Sequence, residues 1–253
     1  MSVGVDIYVK NIAKCFENGK EKTRVLENVD FTIRKNEFLV LFGPGQCGKS
    51  VLMEIMAGLM QPTCGEIRQE DGTPLSEEDI CMVFQRYALF PWKTCIQNVE
   101  MPMKFKGVPK EERKSKAKEY LKLVDLEGFE NSYPRQISGG MKQRVAIARA
   151  YAKECDLLLF DEPFGALDAQ TRYSMENELV KIWERERKTV VFITNNIEEA
   201  VYLADRIIVL GGSPAHITNE YEIDIERPRN RCGDEFLKIR SKIEKYATGN
   251  ADE

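Results

Sequence analysis

The sequence predicts an α/β fold with a mainly parallel sheet, an N-terminal antiparallel β part and a helical insertion. Three patterns predict it. The short apolar runs "LLLFDEP", "TVVFIT" and "RIIVL" alternate with helical segments, as the strands of a parallel sheet do. The stretches "DIYVKNIAKCF" and "VLENVDFTI" instead alternate apolar and polar residues, the mark of half-buried antiparallel strands. From Leu89 to about Lys153 the periodicity is helical, interrupted by "LFPWKT" and "SYPRQISGG".

In chain order, "ENGKEKT" reads as the turn between the first two strands, and "EFLVLF" as a third strand. A glycine-rich loop follows, then a helix to about Leu59. "QPTCGEIRQEDGTPL" reads as loop and hairpin, and "ICMVFQ" as a buried strand ending at Gln85. Further on, "TRYSMENELVKIWERERK" and "IEEAVYLA" read as helices between apolar strands. The tail "GDEFLKIRSKIEKYA" reads as a closing amphipathic helix. No internal repeat is present. The expected organisation is one domain over 1–253, with core segments at about 1–88 and 154–230. A helical subdomain is expected at about 89–153 and a C-terminal helix at about 233–247.

A chain of 253 residues is long enough to bury a core. Its 37 Lys and Arg against 41 Asp and Glu give a net charge of −4, which offers no hint of a nucleic-acid partner. The basic stretch "KFKGVPKEERKSKAKEYLK" reads as a solvated helix face. Seven scattered cysteines without a C-x-x-C pair read as reduced thiols. The first twenty residues hold no apolar h-region, so no secretory leader is expected. The longest apolar runs fall far short of a membrane span. If the protein works at a membrane, it must dock onto something that crosses it.

Between "EFLVLF" and "VLMEIMAGL" lies "GPGQCGKS", which fits G-x-x-x-x-G-K-[ST] in the strand–loop–helix setting that template needs. Glycines let successive N–H groups turn into one concavity, and the following helix adds its positive end. Gly43, Pro44, Gly45, Gln46, Cys47, Gly48, Lys49, Ser50 and Val51 are therefore the candidate phosphate cradle for a nucleoside triphosphate. Lys49 reaches the outer phosphates and the Ser50 hydroxyl ligates Mg2+. The competing reading is a plain glycine turn with a solvated lysine.

Asp161 and Glu162 end the apolar run "LLLF". An acid there is the expected second holder of the magnesium ion, and the next carboxylate is placed to orient or deprotonate the attacking water. "ISGGMKQR" offers the Ser138 hydroxyl and the bare N–H groups of Gly139 and Gly140 at a helix start, a second anion site. One domain has little use for two triphosphate cradles. Two copies facing head-to-tail do, if each cradle receives the other's serine–glycine turn.

With these motifs in order, the chain resembles the ATP-binding subunits of ABC transporters over nearly its whole length. "GPGQCGKS" is similar to the Walker A motif, "ISGGMKQR" to the signature and "LLLFDEP" to Walker B. Gln85 in "VFQ" matches the Q-loop, and "GALD" ending at Asp168 matches the D-loop. Phe16 stands where the family stacks an aromatic on adenine. The resemblance implies the ABC ATPase fold with a P-loop core, ATP and Mg2+ as ligands, and Gln85 as a further metal contact. "LFPWKTCIQNV", "GFENSYP", "DEPFGALDAQTR" and "IERPRN" resemble the nitrate, sulfonate and taurine importer ATPases more narrowly. That implies two ATPase subunits, two membrane-spanning permease subunits and an extracytoplasmic solute-binding protein. The subunit would sit at the cytoplasmic face of the membrane. Leu89, Phe90 and Trp92 are candidates for the groove that receives the permease; local core is the competing reading.

Other classes fit less well. A kinase or GTPase has no use for the signature turn, and ABC ATPases acting on DNA or ribosomes resemble fused pairs or carry a long coiled coil. An ATP-binding subunit with impaired hydrolysis is the serious rival. In "TVVFITNNIEEA" the family's switch histidine is replaced by Asn195, followed by Asn196 where an aspartate is usual. The only histidine, His216, lies in the loop-like "GGSPAHIT" and reads as a surface residue. A milder departure is the order Gly45–Gln46, which puts a side chain where a positive φ is favoured.

Overall fold

The computed structural model describes residues 5–19 and 21–247. The ends of the expected 1–253 domain, and Lys20 in the expected turn, lie outside the described residues. Strands β1 (Ile7–Asn18) and β2 (Glu21–Ile33) pair antiparallel. After β3 (Phe38–Phe42) and α1 (Lys49–Met56), β4 (Cys64–Gln69) pairs with the other edge of β1. The main sheet adds β5 (Ile80–Val83), β6 (Leu157–Asp161), β7 (Thr189–Thr194), β8 (Arg206–Gly211) and β9 (His216–Glu222) to β3. Its order is β5-β6-β7-β3-β8-β9, parallel throughout except for β9. The two sheets meet where Ala215 exchanges backbone hydrogen bonds with Val25 and Glu27, each at 2.9 Å.

The apolar runs are continuous because both faces of the parallel sheet are covered. Strand parity divides the core. Phe38, Val40, Phe160 and Phe192 face helices α4 (Gly139–Ala152), α5 (Ala169–Glu186) and α6 (Ile197–Leu203), packing with Ile147, Trp183 and Leu203. Leu39, Leu41, Leu159 and Val191 face the other way, onto Leu52 and Met53 of α1 and onto Val9 and Ile12 of β1. The main sheet is thus a layer between helices and an antiparallel sheet, which fits the ABC ATPase fold.

The register of this sheet places the loops that matter. Phe42 pairs with Thr194, and Asp161 pairs with Ile193, so β3, β6 and β7 end nearly level. Ligands of open α/β sheets bind beyond the carboxyl ends of such strands. The helical stretch comprises α2 (Cys95–Phe105), α3 (Lys110–Leu123) and α4, which pack on one another. The loop ahead of α2 is held by buried Asn98. Its amide donates to the carbonyls of Phe90, Lys93 and Thr94 and its oxygen accepts from Phe90 N. Most of α3 is exposed, and only Ala117 and Leu121 are buried, as a solvated basic face requires. The final helix is α7 (Asp234–Ala247). Among the described residues no helix is long and apolar enough to cross a membrane.

Several boundaries differ from expectation. The turn at "ENGKEKT" shrinks to its centre, because β1 and β2 stay in register through Phe16–Thr23 and Glu17–Lys22. Helix α1 stops at Met56 rather than near Leu59. Gly58, at φ 73°, turns the chain left-handed, so Leu59 N bonds Glu54 O and Gly58 N bonds Ile55 O. Strand β5 ends at Val83, two residues short of Gln85. "GGSPAHIT" is not all loop: His216 opens β9, an edge strand, and is exposed there.

A buried ion pair locks β8 to the start of β3. Arg206 Nε donates to Glu37 Oε1 at 2.6 Å and its Nη2 to Oε2 at 3.0 Å; both side chains are almost fully buried. Glu220 and the Thr32 carbonyl take the remaining guanidinium donors. Removing one partner strands the other charge. Glu37→Ala is therefore expected to lower unfolding free energy by about 3–5 kcal/mol. Denaturant unfolding checks this, and an unchanged midpoint would refute the pair's role.

Candidate functional site

The loop after β3 leaves the middle of the sheet and closes tightly. A Cβ on Gly43 would come 2.4 Å from the Leu210 carbonyl oxygen of β8, so only glycine lets the chain turn there. Gly48 takes φ 102° as it enters α1. Gln46 also takes a positive φ, 63°, with its side chain exposed. That side chain avoids crowding the turn by pointing to solvent, and what remains is backbone strain of roughly 1 kcal/mol or more. Glu162, at φ 42°, is a second strained non-glycine residue.

Lys49 is only 4% exposed, and a buried ammonium needs partners. It donates to the carbonyls of Gly43 at 2.9 Å and Pro44 at 2.7 Å, and lies 3.9 Å from Glu162 Oε1. The half-buried Cys47 thiol is also 3.9 Å from its nitrogen. The next residue turns the other way, its Ser50 hydroxyl donating to Asp161 Oδ1 at 3.1 Å. Burial raises the Asp161 carboxyl above its usual range, with the Ser50 bond opposing and Glu162 adding. A hydroxyl and a carboxylate that already meet are hard oxygen donors, which suits Mg2+. Val51, in the first turn of α1, is half-buried and packs against the core.

Beyond Glu162 the structure forms a chamber of about 210 Å³. Gln85, Glu162 and Asn195 line it together, joined by Gly165, Arg172 and Glu199. Glu162 thus borders both the loop lysine and the chamber. Asn195 is exposed, whereas Asn196 caps α6 by accepting from the backbone N–H of Glu198 at 2.9 Å and of Glu199 at 3.3 Å. An asparagine performs that cap as well as an aspartate does.

Other expected residues lie elsewhere. Phe16 is 40% exposed on β1, with the Lys14 ammonium 5.1 Å from its ring centre. Ser138 caps α4 by accepting from Met141 N at 3.3 Å. The nearest neighbours a side chain would meet at Gly139 and Gly140 are Tyr87 and Thr171, not the loop 43–50. Asp168 caps α5 through Thr171 N at 3.0 Å. The trio ahead of α2 divides: Leu89 packs on the core, Phe90 is half-buried and Trp92 is 70% exposed. A groove of about 760 Å³ runs beside Phe90, lined also by Met101, Pro102, Phe105, Arg149 and Lys153.

Two chamber residues escaped the sequence reading. Arg172 sits on α5 and donates to the Leu167 carbonyl at 3.1 Å. Glu199 is buried on α6, and burial pushes its carboxyl up to about 8; Glu176 and Glu162 add to that, while Thr194 and Arg172 oppose it. A signal existed: Glu199 stands four residues before Leu203, on the apolar face of its helix.

The ABC transporter family profile matches residues 26–165. An uncharacterized ABC transporter ATP-binding protein of Methanocaldococcus jannaschii is 48% identical over 94% of this chain and 90% of its own length. An aliphatic sulfonates import ATP-binding protein of Bacillus cereus is 40% identical over 96% and 94%. Among solved structures, a dimeric post-hydrolysis state of an ATP-binding cassette bound to ADP and Pi aligns at TM-score 0.76 and 36% identity. It covers 87% of this chain and all of that one.

If Lys49 exchanges its carbonyl partners for phosphate oxygens, its loss removes a charge-assisted hydrogen bond worth ~1.5–3 kcal/mol. Lys49→Ala should therefore weaken ATP binding about tenfold or more in a fluorescent-nucleotide titration. Bound ATP should also shield Cys47 from thiol reagents. Parent-like affinity in the variant, or labelling indifferent to ATP, would contradict the cradle.

Proposed function

The chain belongs to the ABC transporter family as an ATPase subunit, and on that premise we propose that it energises import of a small anionic solute of the nitrate, sulfonate or taurine kind. The observation that carries this reading is the 40% identity, along nearly the whole chain, to a relative named for aliphatic sulfonate import. Its partners are two permease subunits, a second copy of itself and, indirectly, a solute-binding protein. The permease holds it at the cytoplasmic face of the membrane. Residues 89–153 form the helical subdomain that meets the permease, with Phe90 and Trp92 at its groove.

Lys49 and the N–H groups of the loop 43–50 hold the phosphates. Ser50 and Asp161, with Gln85, would hold Mg2+, which spreads the phosphate charge when bound. Glu162 borders the chamber where water sits, so it orients that water or takes its proton. Phe16 stacks on the adenine. Ser138, Gly139 and Gly140 reach the γ-phosphate of the facing copy, since in their own chain the two glycines adjoin Tyr87 and Thr171 rather than the loop 43–50. Closing of this pair is relayed through Gln85 and the helical subdomain.

Asn195 favours slow turnover. Its amide still donates a hydrogen bond, but it is shorter than histidine and carries no charge near neutral pH. Loss of a preorganised donor reduces rates by ~10²–10³, and a weakened one by less, about tenfold to a hundredfold.

Three measurements test the proposal. With the permease and binding protein in vesicles, the sulfonate-type solute should raise ATP turnover; indifference to every solute of the class would remove that assignment. Glu162→Gln keeps the shape but not the base, so light scattering should find a dimer in saturating ATP. A protein that stays monomeric even with the permease present contradicts the head-to-tail pair. Asn195→His should raise turnover of the assembled transporter roughly tenfold or more without much change in ATP affinity. Unchanged or lower turnover would mean that Asn195 is not a weakened switch residue.

A further inference from the structure

Glu199 is nearly fully buried, 4% exposed, yet only half satisfied. The Thr194 side chain beside it opposes the rise that burial causes, while Oε1 has no partner. A buried polar atom left open is rare, and each case calls for a reason. Thr194 accepts from Asn196 N at 2.9 Å, in the turn that carries Asn195. Arg172 Nε is also without a partner. Both residues line the chamber shared by Glu162, Gln85 and Asn195.

A chamber of about 210 Å³ has room for several waters, each needing two to four polar partners. Glu199 and Arg172 supply such partners where the protein leaves atoms open. We propose that Glu199, with Arg172, is a positioning residue that anchors ordered water in this chamber and thereby holds the attacking water against Glu162. The proposal rests on the hydrolytic reading of the site. It assigns to α6 part of the task that a histidine at position 195 would perform. A mostly neutral Glu199 suits it: an O–H donates to water without repelling the Glu162 carboxylate. The charged groups around it are Glu162, Glu176 and Arg172.

A purely structural carboxylate would behave differently. In the first turn of α6 a charged Glu would favour the helix, and its neutral replacement would loosen the fold. An open, buried carboxyl instead weakens the fold, so an apolar replacement should not lower the melting temperature.

The test uses the full chain with Mg-ATP, comparing parent, Glu199→Gln and Glu199→Leu for kcat, KM and melting temperature. Glu199→Leu is expected to lose roughly tenfold or more in kcat at unchanged KM, while melting no lower than the parent. Glu199→Gln keeps a donor and should stay within about threefold of the parent, by the same reasoning. The proposal is overturned by parental kcat in Glu199→Leu, by an equal loss in Glu199→Gln, or by activity that falls only together with melting temperature. A parent that binds ATP without any turnover defeats the hydrolytic reading itself, and this proposal with it.

Discussion

The site depends on one buried ammonium. Lys49 sits where water cannot solvate it, and its nearest acceptors are the carbonyls of Gly43 and Pro44 in its own loop. That pairing wraps the loop around the lysine. The wrap is possible because Gly43 passes within contact of the Leu210 carbonyl on the neighbouring strand. A phosphate then has little to reorganise: it need only replace two carbonyls as partner of a charge already in place. Preorganisation of this kind is how a site favours charge without moving at the moment of reaction.

Around that cation the sheet sets the distances. Because β3, β6 and β7 end level, the Ser50 hydroxyl meets Asp161, and Glu162 falls between Lys49 and the chamber. The fold pays locally for this arrangement. Gln46 and Glu162 are strained, Asp161 is half-buried beside another acid, and Glu199 and Arg172 keep open hydrogen-bonding atoms. Such departures from local optimality gather where a protein acts. The buried Arg206–Glu37 pair and the two apolar cores, one of them packed directly under the loop through Cys47, hold the frame in which that strain persists.

The parallel strands were legible because burial on both faces writes them as unbroken apolar runs such as "LLLF" and "FLVLF". The glycine loop between β3 and α1, and the acidic pair Asp161–Glu162 at the end of β6, were legible from motif spacing along the chain. What failed was set by contacts distant in sequence. The edge strand β9 is half exposed, so its polar residues masked it as loop. Helix α1 stops at Met56, just ahead of Gly58, a signal in plain view that the apolar Leu59 obscured. Glu199 and Arg172 join the chamber only because α5 and α6 pack side by side, which no local pattern states. Leu89 and Trp92, three residues apart, went to core and solvent respectively, a division that packing alone decides.

The central claim is that one chain holds half of each hydrolytic site and a second copy completes it. Specific ATPase activity measured against subunit concentration tests this most directly. Activity per subunit should rise with concentration and level off once pairs are saturated. Constant specific activity down to the lowest concentration assayed, from a chain shown to be monomeric there, would mean that each subunit completes its own site and would contradict the account.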